Sequence, residues 1–100
     1  MMVFINRFEV HAPTAEFELL FRNTSEFLRH QPGFRRFRLV RSIEHPNRYV
    51  NIAEWDSAEA LRQATAQPEF RAHADALRAV ATTSPDMHEP VYEVTAPDAR

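Results

Sequence analysis

The spacing of apolar residues in this chain switches repeatedly between a period of two and a period of about 3.6, and the order of the switches limits the folds available to it. Met2 to Val10 alternates, with Phe4, Asn6, Phe8 and Val10 on one face and Val3, Ile5, Arg7 and Glu9 on the other. Ala12-Pro13-Thr14 breaks the alternation. Phe17, Leu20, Phe21, Thr24, Phe27 and Leu28 then fall on one helical stripe, which predicts a helix over Ala15–His30. Pro32-Gly33 ends it, and Gly33, the only glycine, is expected in a left-handed cap position.

Alternation resumes over Phe34–Ile43 and again over Arg48–Trp55. The short link Glu44-His45-Pro46-Asn47 makes these strands an antiparallel hairpin. Asp56 with Glu59 has the form of a capping box for a short helix to about Ala66. Pro68 suits the first turn of a last helix running to about Ala81, with Phe70, His73, Ala74 and Leu77 on its inner stripe. A loop over Thr82–Glu89 and a final strand over Pro90–Thr95 complete the reading.

The order strand, helix, strand, strand, helix pair, strand predicts an α+β class domain. It is a ferredoxin-like split βαβ arrangement with a four-stranded antiparallel sheet and helices on one face. A single domain over residues 1–95 is expected, with a frayed tail over 96–100. On the second strand Phe37, Leu39 and Ile43 share one face, while Phe34 and Val40 share the other. Only one face can carry helices, so a homodimer packed sheet against sheet is expected.

A formal charge of −2 gives no basis for nucleic-acid or anionic-membrane partners. There is no signal-peptide pattern and no run near the roughly 20 apolar residues of a membrane span, so a cytoplasmic location is expected. Cysteine is absent, which removes disulfides and thiolate chemistry. Lysine is absent too, and the chain has no Gly-rich phosphate loop, GxSxG or HExxH. The histidines His11, His30, His45 and His88 show no metal-ligand spacing, so no metal site is expected.

The chemistry must then come from amides, aromatic rings, histidine and arginine. Asn51 and Trp55 lie four residues apart on one strand and share a face. Asn6 stands among apolar neighbours on its own strand. A buried primary amide is costly unless its polar atoms find partners. Asn6 reads either as an amide satisfied by backbone groups or as a hydrogen-bonding group in a small-molecule pocket. Trp55 alone reads as core; the combination of two amides and an indole points to the pocket. The dense arginines Arg35, Arg36, Arg38, Arg41 and Arg48 read as a solvated or dimer-edge surface, or more weakly as attraction for an anionic substrate.

Asn6-Arg7-Phe8, Pro32-Gly33-Phe34, Arg48-Tyr49-Val50-Asn51, Glu54-Trp55-Asp56-Ser57 and Pro68-Glu69-Phe70 together resemble the antibiotic biosynthesis monooxygenase superfamily, over about Val3 to Val94. Within it, the quinone-forming monooxygenases of aromatic polyketide pathways are most similar, with Asn6, Asn51 and Trp55 at the positions that group uses. The resemblance implies a pocket between sheet and helices in each protomer of a dimer. It also implies oxidation of an anthrone or related phenol to a quinone by molecular oxygen, without metal, haem or flavin. Asn6, Asn51 and Trp55 are then the expected catalytic residues. Phe4, Phe8, Phe21, Phe70, Leu77 and His73 are the expected substrate-binding residues, with His73 a pocket-wall residue near Asn6.

Two alternatives stand beside this. The haem-degrading branch of the superfamily also has the first-strand Asn and a ligating His on the last helix, matched by Asn6 and His73. The tryptophan of that branch, nine or ten residues before the His, falls here at or next to Ala64. A non-oxidative polyketide cyclase or partner protein is the other.

Overall fold

The computed structural model describes residues 1–98. Its elements are β1 (Met2–Val10), α1 (Thr14–Leu28), β2 (Phe34–Arg41), β3 (Arg48–Trp55), α2 (Ala58–Thr65), α3 (Pro68–Val80) and β4 (Ala81–His88). The strands form one antiparallel sheet in the order β2-β3-β1-β4. The strands bearing the two amides are therefore its central pair. This is the expected ferredoxin-like architecture. Of the tail expected over 96–100, residues 99 and 100 lie outside the described residues.

The last strand corrects the sequence reading. The segment expected as a loop, Thr82–Glu89, holds most of β4, and Pro90–Thr95 has no regular structure. There is no connection to lengthen, because α3 runs straight into the sheet. Its C-cap residue Ala81 is already extended (φ −153°, ψ 149°). Pro85 obscured the strand, yet an edge strand tolerates proline because one row of its N–H groups faces away from the ladder. The Val91-Tyr92-Val94 pattern that imitated a strand is exposed.

Three local details also differ. Ser57, not Asp56, caps α2, its Oγ accepting from Ala60 N at 3.1 Å. Asp56 instead takes the Arg35 guanidinium at 2.7 Å. Helix α1 ends at Leu28, so Gly33 does not cap it; it has φ +88° within the turn that enters β2. A register shift between Phe34 and Arg36 sets Phe34 opposite Trp55 and turns its ring to the helix face beside Phe37. Strict alternation set Phe34 on the face opposite Phe37, and Ile43, expected to share the face of Phe37 and Leu39, lies beyond β2 and is exposed.

Two aromatic-rich clusters fill the layer between sheet and helices. Phe17 is fully buried, 5.0 Å from the Phe8 ring and 4.8 Å from Tyr49. Trp55 centres the other cluster, with Met2, Ala53, Leu61 and Ala64. Tyr49 places a hydroxyl at the rim of the first, donating to Glu18 Oε2 at 2.6 Å and accepting from Arg41 Nη1 at 3.3 Å. Burial raises the Tyr49 pKa; its bond to Glu18 raises it further, and Arg41 opposes both. A phenol whose pKa is raised on folding stabilises the native state below its unfolded pKa and loses that contribution as pH climbs through the folded value. Stability to urea is accordingly expected to fall above about pH 10. In Tyr49→Phe that alkaline fall should shrink.

Candidate active site

The site starts from the register of the central strands. Asn6 lies directly opposite Asn51, Phe4 opposite Ala53 and Met2 opposite Trp55. Such pairs hold their Cβ atoms about 4.5–5.5 Å apart, so the two amides are neighbours on the helix-facing side. Above them α1 contributes Phe21, Thr24 and Leu28, α2 contributes Leu61 and Thr65, and α3 contributes Phe70 and Leu77. The bulge at the start of β2 adds Phe34 beside Phe37. The enclosed space is a cavity of about 90 Å³. It shares Phe4, Asn6, Phe8 and Phe70 with an outer chamber of about 370 Å³ between β4 and the helices, where Arg62 and Arg78 stand.

The structure thus gathers Asn6, Asn51, Trp55, Phe4, Phe8, Phe21, Phe70 and Leu77 around one cavity. His73 is placed elsewhere, and the expectation that it stands near Asn6 is corrected. It lines neither chamber; its ring lies 6.1 Å from that of Phe27 on α1 and its Nε2 is 4.0 Å from Glu69. On a helix of 3.6 residues per turn, position 73 is at the margin of the stripe formed by 70, 74 and 77. That margin faces the neighbouring helix rather than the sheet.

Sequence reasoning passed over Thr65, Ser25, Phe34 and Phe37 in the inner cavity and Arg62 and Arg78 in the outer chamber. A signal existed for Thr24, a polar residue on an otherwise apolar stripe. Its hydroxyl donates to Leu20 O at 2.9 Å, and that of Thr65 to Leu61 O at 3.0 Å, so both protons are committed to their own helices.

The remaining polar atoms define what the cavity can do. Asn6 Oδ1 accepts the Ser84 backbone N–H at 3.1 Å. Asn51 is buried, and its Oδ1 has no hydrogen-bond partner. Trp55 is 1 % exposed, its ring edge-to-face with Phe34 at 5.3 Å. No side chain lining the inner cavity is an acid, a base or a tyrosine. The cavity therefore offers orientation, apolar contact and neutral hydrogen bonds, and no strong general base.

Among the described residues no group of three or more His, Asp or Glu side chains is placed to hold a metal ion. The alternative that places a haem iron on His73 finds that imidazole outside both chambers, against Phe27 and Glu69. No helix is long and apolar enough to cross a membrane among the described residues.

Comparison with known proteins agrees with this architecture. The pattern of the family described as antibiotic biosynthesis monooxygenase matches residues 1–76. Deoxynogalonate monooxygenase of Streptomyces nogalater is 50% identical over 82 residues, covering 82% of this chain and 70% of that protein. The crystal structure of SnoaB, a cofactor-independent oxygenase from Streptomyces nogalater, superposes with a TM-score of 0.91 at 43% identity, covering 95% of this chain and 97% of the other. A mycobilin-producing haem oxygenase of Mycobacterium tuberculosis is 34% identical over 74 residues, covering 73% of this chain and 70% of that protein. The expectation of an oxygenase that needs no cofactor agrees with the character of SnoaB. This chain belongs to the antibiotic biosynthesis monooxygenase family, and it is an oxygenase.

Proposed function

We propose that the protein oxidises a polycyclic phenol or anthrone of an aromatic polyketide pathway to a quinone, with molecular oxygen as co-substrate. The observation that carries this reading is a cavity holding two facing amides and an indole and no titratable side chain. A site without a base needs a substrate acidic enough to supply its own anion, and an anthrone is one. The relative from Streptomyces nogalater is named for deoxynogalonate, and a substrate of that kind is proposed here. Arg62 and Arg78 of the outer chamber would meet an anionic substituent.

The enolate formed by loss of one methylene proton is held through its oxygen by the amides. It passes one electron to oxygen, and the resulting pair of radicals combines to form the carbon–oxygen bond. Protonation gives a hydroperoxide. Loss of the second methylene proton breaks the O–O bond and releases water, so that CH2 and O2 become C=O and H2O. Holding oxygen against the ring is a proximity effect, supplied by the apolar walls. Trp55 closes one end, and its indole N–H is available to the peroxide. Turnover under 18O2 should place one labelled atom in the new carbonyl, read by mass spectrometry; an unlabelled product would refute the reaction.

The assembly belongs to the same proposal. The outer sheet face carries Val3, Ile5, Val50 and Ile52 with no helix over them, and Val40 is 40% exposed there. Covering this face with a second copy removes apolar surface from water at roughly 25 cal/mol per Å². Sedimentation equilibrium at micromolar concentration is expected to report about twice 11.7 kDa. A single species at the monomer mass would contradict the dimer.

A further inference from the structure

We infer that the two chambers divide the two substrates of the reaction: the outer chamber seats the fused rings, and the inner cavity is a dioxygen site. This assignment rests on the reading of the site as that of an oxygenase acting on a polycyclic phenol, and adds where each substrate sits.

Size separates the two spaces first. Pockets for organic ligands run from about 300 to 1,000 Å³. The outer chamber, at about 370 Å³, reaches that range, and the inner cavity, at about 90 Å³, does not. Fused rings therefore fit between β4 and the helices, beside Arg62 and Arg78. The boundary is made by Phe4, Asn6 and Phe8 of β1 and by Leu61 and Leu77 of the helices, which line both spaces.

The lining of the inner cavity then selects a small apolar occupant. A buried water needs two to four polar partners, whereas an apolar cavity of about 150 Å³ stays dry and takes benzene or xenon. Three hydroxyls line the inner cavity, and each donates to a carbonyl of its own helix. Thr24 meets Leu20 O at 2.9 Å, Ser25 meets Arg22 O at 2.9 Å and Thr65 meets Leu61 O at 3.0 Å. The Asn6 oxygen is taken by the Ser84 N–H at 3.1 Å. Apart from the two amides and the indole, the remaining lining is aliphatic and aromatic carbon. Dioxygen has no dipole and dissolves better in hydrocarbon than in water, so a space of this size and lining concentrates it.

Asn6 stands at the boundary, whereas Asn51, Ala53 and Trp55 line only the inner cavity. The reacting edge of the ring reaches Asn6 from one side and dioxygen waits on the other. One electron passes from the enolate to dioxygen across this line, and the radical pair closes the carbon–oxygen bond.

Ala53 allows the inner cavity to be filled without touching the outer chamber. It is 3% exposed on β3, opposite Phe4 and Phe37. Ala53→Val and Ala53→Leu add methyl groups to the inner space alone. One methylene in an apolar pocket discriminates about tenfold or more, so kcat/KM for oxygen at saturating anthrone is expected to fall about tenfold in Ala53→Leu and less in Ala53→Val. Anthrone affinity, titrated by calorimetry under argon, should not change. Stability to urea should not fall, because the methyls enter existing space. Crystals of the parent chain under xenon pressure should show an anomalous peak in the inner cavity, which Ala53→Leu removes. Uptake of oxygen by a parent chain with no xenon peak there overturns the dioxygen assignment alone, as does an unchanged kcat/KM for oxygen in both variants. No uptake by the parent chain removes the oxygenase reading and the assignment with it.

Discussion

Asn51→Ala is expected to lower turnover about 100- to 1000-fold, the cost of removing one preorganised hydrogen-bonding group from a site where charge develops. The effect is large because Asn51 is buried and faces Asn6 in the cavity, where its NH2 group can donate to the oxygen on which charge develops. Its removal should cost little stability, since an unsatisfied buried amide contributes little to the fold. Trp55→Phe separates the same two quantities differently. The indole is buried among Met2, Ala53, Leu61 and Ala64, so the smaller ring leaves space and stability falls. Turnover should fall further than the loss of folded protein explains, because the N–H is gone. Rates measured at a temperature where circular dichroism shows both variants folded check this. Full activity in both would remove these residues from the mechanism.

Gly33→Ala is expected to be the most damaging single-methyl change in the chain. Gly33 holds φ +88°, a region costly for any residue with a Cβ. The added Cβ would also lie 2.6 Å from the Ala60 Cβ on α2. Backbone strain and overpacking together should cost about 2–4 kcal/mol in urea unfolding. The site should feel it as well. Gly33 O accepts from Asp56 N at 2.8 Å, Phe34 follows it directly, and Ala60 precedes Leu61 on the cavity wall. Adding Ala60→Gly to Gly33→Ala removes the collision but not the strained φ, so a double-mutant cycle apportions the two causes. A cost within experimental error of zero would show that the turn relaxes freely.

The central strands were legible because alternation survives where one face is buried, and β1 and β3 have the bounds that alternation predicts. Their pairing placed the two amides, so the heart of the candidate site could be read before any coordinates. What escaped the reading depends on tertiary geometry. A bulge reversed the face of Phe34, which no count of alternate residues can anticipate. β4 carries Thr, Ser, Pro and Asp and is a strand because α3 delivers the chain to an open sheet edge, not because of its propensities. His73 shares a stripe with Phe70 and Leu77 on paper, yet a helix with two neighbours divides that stripe between them. Arg62 and Arg78 were invisible as site residues, since an exposed arginine on a helix looks the same whether or not a chamber opens beside it.

The central claim is that oxidation needs only substrate, oxygen and this chain. The direct measurement is oxygen uptake with an anthrone by protein dialysed against chelator, followed with an oxygen electrode and by absorbance of the quinone. The account predicts uptake well above the spontaneous rate, one oxygen consumed per quinone formed, and no change on adding metal salts or haemin. Activity that vanishes on dialysis and returns with one metal or with haemin would contradict it.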